Sequence, residues 1–309
     1  MSDPFKTPYI PHVELENLPS TVTRLETNEG SYVYVVGTAH FSKESCEDVA
    51  KTINVVQPDI VLLELCASRS GILKYDEEEL LREADSVDFA KLRAAIRQHG
   101  VVTGLMSTLL LVMSAHITKE LGMAPGGEFR AAVAEARHIS GCKILYADRP
   151  IQITLKRAMA SLSLWQKIKL AWHLVTFNEP ITKEDVEKCK DKDLLAQMME
   201  QMTGEFPDLT KVFVNERDAY LAHTFQKAAQ PVHSRLTGGK EPVIAVGVVG
   251  IGHVQGIKKN WNKEIDVRPL CSIPPPSVGS RLAGLGMKFG FYGICLYGLY
   301  KVGKSFKMF

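Results

Sequence analysis

Two Gly-x-x-His stretches, Gly37-Thr38-Ala39-His40 and Gly250-Ile251-Gly252-His253, stand near opposite ends of the sequence. Each directly follows a β-branched apolar run, Tyr32–Val36 in the first case and Val243–Val249 in the second. Runs that are apolar at every position, rather than at alternate ones, read as strands buried on both faces, as in a parallel sheet. A strand that stops at glycine and hands on a histidine sets that imidazole at the strand's carboxyl end, where ligands collect in open α/β sheets. Two imidazoles delivered the same way from distant segments point to one shared site.

A third run, Ile60–Leu63, follows Gln57-Pro58-Asp59 and ends in Glu64. Between it and the first strand, Cys46, Val49, Ala50, Ile53 and Val56 recur at helical spacing. Strand, helix and strand within this length make a βαβ unit, so the two strands are parallel and His40 and Glu64 emerge at one edge. A fourth candidate strand, Lys143–Ala147, ends in Asp148-Arg149. Upstream, Thr21–Leu25 and Ser31–Val36 flank Asn28-Glu29-Gly30, a hairpin turn.

The 309 residues suffice for a large core, and a composition 45% hydrophobic and 23% charged is that of a folded globular protein. A net charge of +2, with no recognisable nucleic-acid motif, gives no case for a nucleic-acid partner. The six cysteines are scattered without a C-x-x-C pair, which suits a reducing compartment. The start, Met-Ser-Asp-Pro, lacks a secretory h-region, so the expectation is synthesis and folding in the cytosol.

Residues 1–20 read as an irregular arm, 21–272 as the folded domain and 273–281, with Pro274-Pro275-Pro276, as a linker. Asp76–Gln98 is charged and helical, and Val101–Ile117 reads as a buried or pocket-lining helix. Gly126-Gly127 opens a helix over Glu128–Ile139. A largely helical insertion of about 151–235 takes in Ile151–Val175, Lys183–Thr203 and Asn215–Gln230, and is expected to cap the sheet's active edge. Leu282–Tyr300, with Lys288 its single charge, is flanked by Arg281, Lys301, Lys304 and Lys307. Its length approaches that of a ~30 Å hydrocarbon core, so 282–309 is a membrane-anchor candidate; Lys288 and five internal glycines favour the alternative of a peripheral helix. Its place near the end and its basic flanks give the expectation of a tail anchor in the mitochondrial outer membrane, with the domain facing the cytosol. The alternative is a cytoplasmic or peripheral protein.

With these motifs in hand, the sequence resembles the TraB/PrgY family. The resemblance rests on Val35-Val36-Gly37-Thr38-Ala39-His40-Phe41-Ser42, on Val61-Leu62-Leu63-Glu64-Leu65-Cys66 with Arg69, and on Gly127-Glu128-Phe129. It extends through Ala147-Asp148-Arg149-Pro150-Ile151 with Thr154, Leu155 and Arg157, through Asn215-Glu216-Arg217-Asp218, and through Val248 to Ile257 around Gly250-Ile251-Gly252-His253. The family is similar in turn to Tiki-type metalloproteases and to the erythromycin esterase/ChaN-like group, whose sites use paired Gly-x-x-His motifs and a glutamate. The resemblance implies an α/β fold with a central, largely parallel sheet, flanking helices and a helical cap. It implies a site built on His40, Glu64 and His253, and a divalent metal of manganese or cobalt type. In the erythromycin esterase branch a glutamate stands within the first motif, where this sequence has Thr38 or Ala39, so an esterase mechanism dependent on that carboxylate does not carry over.

The residue types suit such chemistry. Two imidazoles and one or two carboxylates on strand ends can hold a divalent ion with a position left for water, and bound water loses a proton more readily. Glu64 or Glu128 could be ligand or general base. Arg69, Arg130, Arg149 and Arg217 are candidates for binding a substrate carboxylate or an oxyanion. Asp148-Arg149 and Glu216-Arg217 could equally pair with one another as buried ion pairs. The function expected is a membrane-tethered, metal-dependent hydrolase acting on a peptide or small molecule. The alternative is a non-catalytic ligand-binding or membrane contact-site module that retains the pocket.

Overall fold

Where the sequence is apolar at every position, the chain forms the inner strands of a sheet. The computed structural model describes residues 15–39, 42–74, 126–163, 207–233 and 239–275, with isolated positions between 82 and 97 and between 165 and 169. Residues 1–14, His40 and Phe41, Val101–Ile117, Lys183–Thr203, Leu282–Tyr300 and most of Asp76–Gln98 lie outside the described residues.

In chain order the elements are β1 (Val22–Glu26), β2 (Tyr32–Thr38), α1 (Lys43–Val56), β3 (Ile60–Leu63) and a 3-10 segment (Ala67–Leu73). Then come α2 (Gly127–His138), β4 (Lys143–Tyr146), α3 (Ile151–Ser161) and α4 (Pro207–Thr210). A π-helical segment (Lys211–Asn215) leads into α5 (Glu216–Ala228), followed by β5 (Val232–His233), β6 (Lys240–Glu241), β7 (Ile244–Gly250), α6 (Ile251–Asn260) and α7 (Arg268–Cys271).

The central sheet has the order β1-β2-β7-β3-β4. β2, β7, β3 and β4 run parallel, and β1 is antiparallel to β2 through the hairpin expected at Gly30. There Gly30 adopts φ 80°, the left-handed region that glycine enters without steric cost. The strand from the far end of the sequence is therefore the central one. β7 lies between β2 and β3, with Thr38 opposite Gly250 and Leu63 opposite Val248. All four parallel strands present their carboxyl ends at one edge.

Period-two alternation divides the strand residues between two cores. Tyr34, Val36, Val61, Leu63, Val246 and Val248 face α1 and α2, which bury Val49, Ile53, Val56, Phe129, Ala132 and Ala136 against them. Val33, Val35, Ile60, Leu62, Ala245 and Val249 face α5 and α6, which contribute Leu221, Ala222, Phe225, Val254 and Ile257. Ser42 caps α1 by accepting from the Ser45 N–H at 3.3 Å, and Gln57 closes it in the left-handed conformation, with Pro58 barring continuation. Among the described residues no helix is long and apolar enough to cross a membrane. The four described cysteines, Cys46, Cys66, Cys142 and Cys271, are free thiols.

α5 sits close to the sheet because Gly247 of β7 has no side chain: a Cβ there would overlap the Phe225 ring. Gly247→Ala should therefore lower stability by about 1–3 kcal/mol through overpacking. Phe225→Leu in the same chain should recover part of that loss. An unchanged denaturation midpoint for Gly247→Ala would mean that β7 and α5 do not meet this closely.

Candidate functional site

The carboxyl edge gathers charges that the strands alone could not bury. Glu64 follows β3 directly, its N–H donating to Val248 O at 3.0 Å, and its side chain is 6% exposed. Its Oε2 accepts the Gly250 N–H at 2.7 Å, at the N-cap of α6. An anion is favoured there because the first helical N–H groups are unsatisfied and carry partial positive charge. Its Oε1 meets His253 Nε2 at 3.2 Å and accepts from Arg217 Nη2.

His253 lies in the first turn of α6, since that helix begins immediately after the strand. An imidazolium at a helix N-terminus opposes the macrodipole, and two carboxylates offset this. Glu64 faces Nε2, while Asp218 Oδ1 lies 2.6 Å from Nδ1. Asp218 reaches the ring because Gly256, one turn further along α6, leaves room: a Cβ there would collide with the Asp218 carboxyl.

Asp218 belongs to the run Glu216-Arg217-Asp218, which opens α5, and all three side chains turn into the protein. The π segment before them frees carbonyls from the helical ladder. Val212 O accepts from Arg149 Nη2 at 3.0 Å and Phe213 O from Arg217 Nη1 at 3.3 Å. The dipeptides at the end of β4 and the start of α5 then pair crosswise. Arg217 binds Asp148 through Nε–Oδ1 at 3.1 Å and Nη2–Oδ2 at 3.0 Å, and Arg149 Nη1 binds Glu216 Oε2 at 2.7 Å. Arg149, fully buried, also donates to Thr154 Oγ1 and Leu270 O. Arg157 grips both Glu216 oxygens, at 2.8 and 2.6 Å. Arg69 adds a contact to Asp148 Oδ2 at 2.5 Å.

The protonation states follow from this arrangement. Burial by itself would raise the Glu64 pKa; the His253 charge and hydrogen bond, then Arg217 and the Gly250 N–H, hold it well below the usual carboxylate range. Burial would lower His253; the Glu64 charge and the hydrogen bonds to Asp218 and Glu64 outweigh it and lift the imidazole from 6.5 to about 9. Arg217, buried beside Glu64 and Asp148, is held more basic than a free guanidinium despite its desolvation.

Of the expected site residues, Glu64 and His253 meet directly, Arg217 bonds Glu64, and Arg69 touches its carbonyl at 3.3 Å. His40 lies outside the described residues, although β2 ends beside Gly250 at the same edge. Glu128 is buried in the first turn of α2, near enough to Cys46 that its charge, after burial, helps raise that thiol's pKa. Arg130 donates to Ile72 O at 3.2 Å. Arg149 is taken up with Glu216 and backbone carbonyls.

Asp218 is the side chain of this cluster that the strand-end argument passed over. Its one signal was membership of Asn215-Glu216-Arg217-Asp218, three charges in succession where an amphipathic helix would bury one. Among the described residues, no group of three or more His, Cys, Asp or Glu side chains gathers as a metal cage.

The fold and the buried ionic cluster at the strands' carboxyl ends define an α/β protein with a mostly parallel central sheet. A sequence model of the TraB/PrgY/gumN family matches residues 21–265, and the chain belongs to that family. It is 52% identical over 296 residues to the TraB domain-containing protein of Mus musculus, covering 94% of this chain and 79% of that one. It is likewise 52% identical over 293 residues to the TraB domain-containing protein of Homo sapiens, covering 93% and 78%. An uncharacterized protein of Methanocaldococcus jannaschii is 30% identical over 278 residues, covering 86% of this chain and 64% of its own.

The raised imidazole makes stability depend on pH. A group whose pKa rises on folding stabilises the fold fully below its unfolded value, and that contribution disappears as pH climbs through the folded value. The metal-free protein should therefore lose melting temperature between pH 6.5 and about 9, and His253→Gln should flatten that loss. Asp218→Asn should bring the His253 titration, followed by NMR, back toward 6.5. A wild-type imidazole titrating at or below 6.5 would contradict the doubly paired geometry.

Proposed function

We propose that this chain is a metal-dependent hydrolase cleaving a peptide or related amide bond at the carboxyl edge of its sheet. The observation carrying the reading is the meeting of His253 Nε2 and Glu64 Oε1 at 3.2 Å, with Asp218 behind Nδ1. Neighbouring ligands of an ion with bonds near 2.1 Å stand about 3 Å apart, so this nitrogen and oxygen already have the spacing of two donors to one cation. A carboxylate on the far ring nitrogen is the usual support of a metal-binding histidine. Glu64, Asp148 and Asp218 also outnumber Arg69 and Arg217 by one negative charge, which the His253 proton or a metal ion can balance.

These donors fit a manganese- or cobalt-type ion, with His40 as the third ligand implied by the family resemblance. Such an ion, when bound, polarises a carbonyl and provides a water that deprotonates near neutral pH. The side chains do the rest. Asp218 holds the ring through Nδ1, and His253 would have to give up its Nε2 proton to serve as a ligand. Arg217 keeps Glu64 anionic while holding Asp148 in place. Glu128, in the first turn of α2 at the same edge, is the second carboxylate available to move a proton. Within the expected cap of about 151–235, α5 packs on the sheet face rather than over its edge; its first turn brings Glu216, Arg217 and Asp218 to the edge, where Arg157 of α3 meets Glu216. Leu282–Tyr300 tethers the domain to a membrane facing the cytosol, the mitochondrial outer membrane being the one that its modest hydrophobicity and basic flanks suit.

Capture without cleavage is the competing reading. It is favoured because both Glu64 oxygens already accept protein donors. Metal analysis decides first. Wild-type protein should hold manganese or cobalt at near-stoichiometric levels, and His40→Ala, His253→Ala and Glu64→Gln should each lose most of it. Peptides bound but intact after prolonged incubation with the loaded protein would establish capture and overturn the hydrolase. For the tether, alkaline carbonate should release a chain ending at Pro276 from membranes and leave the full-length chain behind; equal release of both would rule out a spanning segment.

A further inference from the structure

Among the described residues four guanidiniums join this network, and the bonds to their nitrogens set one apart. Arg217 has all three nitrogens on protein acceptors: Nε and Nη2 on Asp148, Nη2 also on Glu64, and Nη1 on Phe213 O. Arg149 is likewise complete, on Thr154, Glu216, Leu270 O and Val212 O. So is Arg157, on Glu216, Pro269 O and Ser272 O.

Arg69 engages Nη2 alone, with Asp148 Oδ2 at 2.5 Å and Glu64 O at 3.3 Å. Its Nε is buried without an acceptor, and among the described residues no acceptor faces Nη1. Leaving a buried donor unpaired costs its desolvation, and such groups in folded proteins call for an explanation. The Arg69 side chain is also 35% exposed, against 14%, 12% and 0% for Arg217, Arg157 and Arg149. It is the cation of the network that solvent, and therefore a ligand, can reach.

Arg149, Arg157 and Arg217 are each spent on Glu216, Asp148, Glu64 or backbone carbonyls, so Arg69 is the guanidinium of this network with nitrogens left to offer an anion. The geometry points to Arg69 as the residue that receives a carboxylate of the substrate, which sets the substrate class as a peptide carrying a carboxylate next to the cleaved bond. This inference rests on the hydrolase reading for its cleaved bond, but not for the anion site. A planar guanidinium fork matches a carboxylate in shape, which a lysine ammonium does not. Arg69 Nη2 lies 3.3 Å from the main-chain carbonyl of Glu64 and shares Asp148 with Arg217, which holds the Glu64 carboxylate, so an anion on the unused nitrogens stands beside the Glu64–His253 pair. That position suits a free C-terminal α-carboxylate or the side chain of an adjoining Asp or Glu.

The test uses full-length, metal-free protein and calorimetry. Four probes are compared: N-acetyl-Ala-Ala as free acid and as C-terminal amide, and the amides of N-acetyl-Asp-Ala and N-acetyl-Asn-Ala. At least one carboxylate probe should bind ten-fold or more tightly than its neutral counterpart, and which one does so identifies the C-terminal or the side-chain source. Arg69→Met should reduce that binding at least ten-fold while keeping the wild-type melting temperature within a few degrees, because Asp148 retains both bonds from Arg217. Arg69→Lys keeps the charge beside Asp148 but lacks the fork, and should bind the acid at least three-fold more weakly than wild type. Equal binding of acid and neutral probes overturns the inference, as does undiminished binding by either variant. Metal content measured in parallel separates the two ideas. Acid preference in protein that takes up no metal sinks the hydrolase and keeps the anion site, whereas metal uptake without acid preference does the reverse.

Discussion

Burying the Glu64 carboxylate at the end of β3 obliges the chain to supply it with donors, and separate elements do so. The backbone of Gly250 closes one oxygen, while His253 and Arg217 close the other. Each donor then carries its own obligation. His253, charged and almost out of solvent, needs a second carboxylate and takes Asp218; Arg217 takes Asp148, which in turn takes Arg69. Breaking such a chain at one member leaves an uncompensated buried charge, which costs far more than the pair contributes when intact. The network thereby fixes how β3, β4, α5 and α6 meet.

Close approach of backbones makes this possible. Gly247 admits Phe225, and Gly256 admits Asp218, so α5 is drawn onto both the sheet and α6 at points where any side chain would hold it off. The same helix thus seals one core with its later turns and serves the site with its first. The π segment before it supplies two carbonyls to the arginines, and the three successive charged residues point inward because partners of opposite charge await them: Arg149 and Arg157 for Glu216, Asp148 and Glu64 for Arg217, and His253 for Asp218.

A second cluster ties the site to the end of the described chain. Arg149 and Arg157 share Glu216 and also donate to the carbonyls of Leu270, Pro269 and Ser272. The segment around α7 is therefore held by the same two guanidiniums that fix the start of α5. Backbone carbonyls bonded to arginine are satisfied without a neighbouring strand, so a short irregular segment can pack against buried charge.

The sequence by itself determined the strands and their polarity. Unbroken apolar runs marked β2, β3 and β7, the helical spacing of Val49, Ile53 and Val56 marked α1, and parallel connection put the strand ends at one edge. That sufficed to put Glu64 and His253 at the same edge, because strand direction alone decides which edge a carboxyl end occupies. Tertiary structure decided what periodicity does not encode. The insertion of β7 between β2 and β3, the crosswise pairing of Asp148-Arg149 with Glu216-Arg217, and the choice of Asp218 as partner of His253 all depend on contacts between elements far apart in sequence. Residue spacing fixes the face on which a side chain emerges. Its partner is fixed by which two backbones the glycines allow to touch.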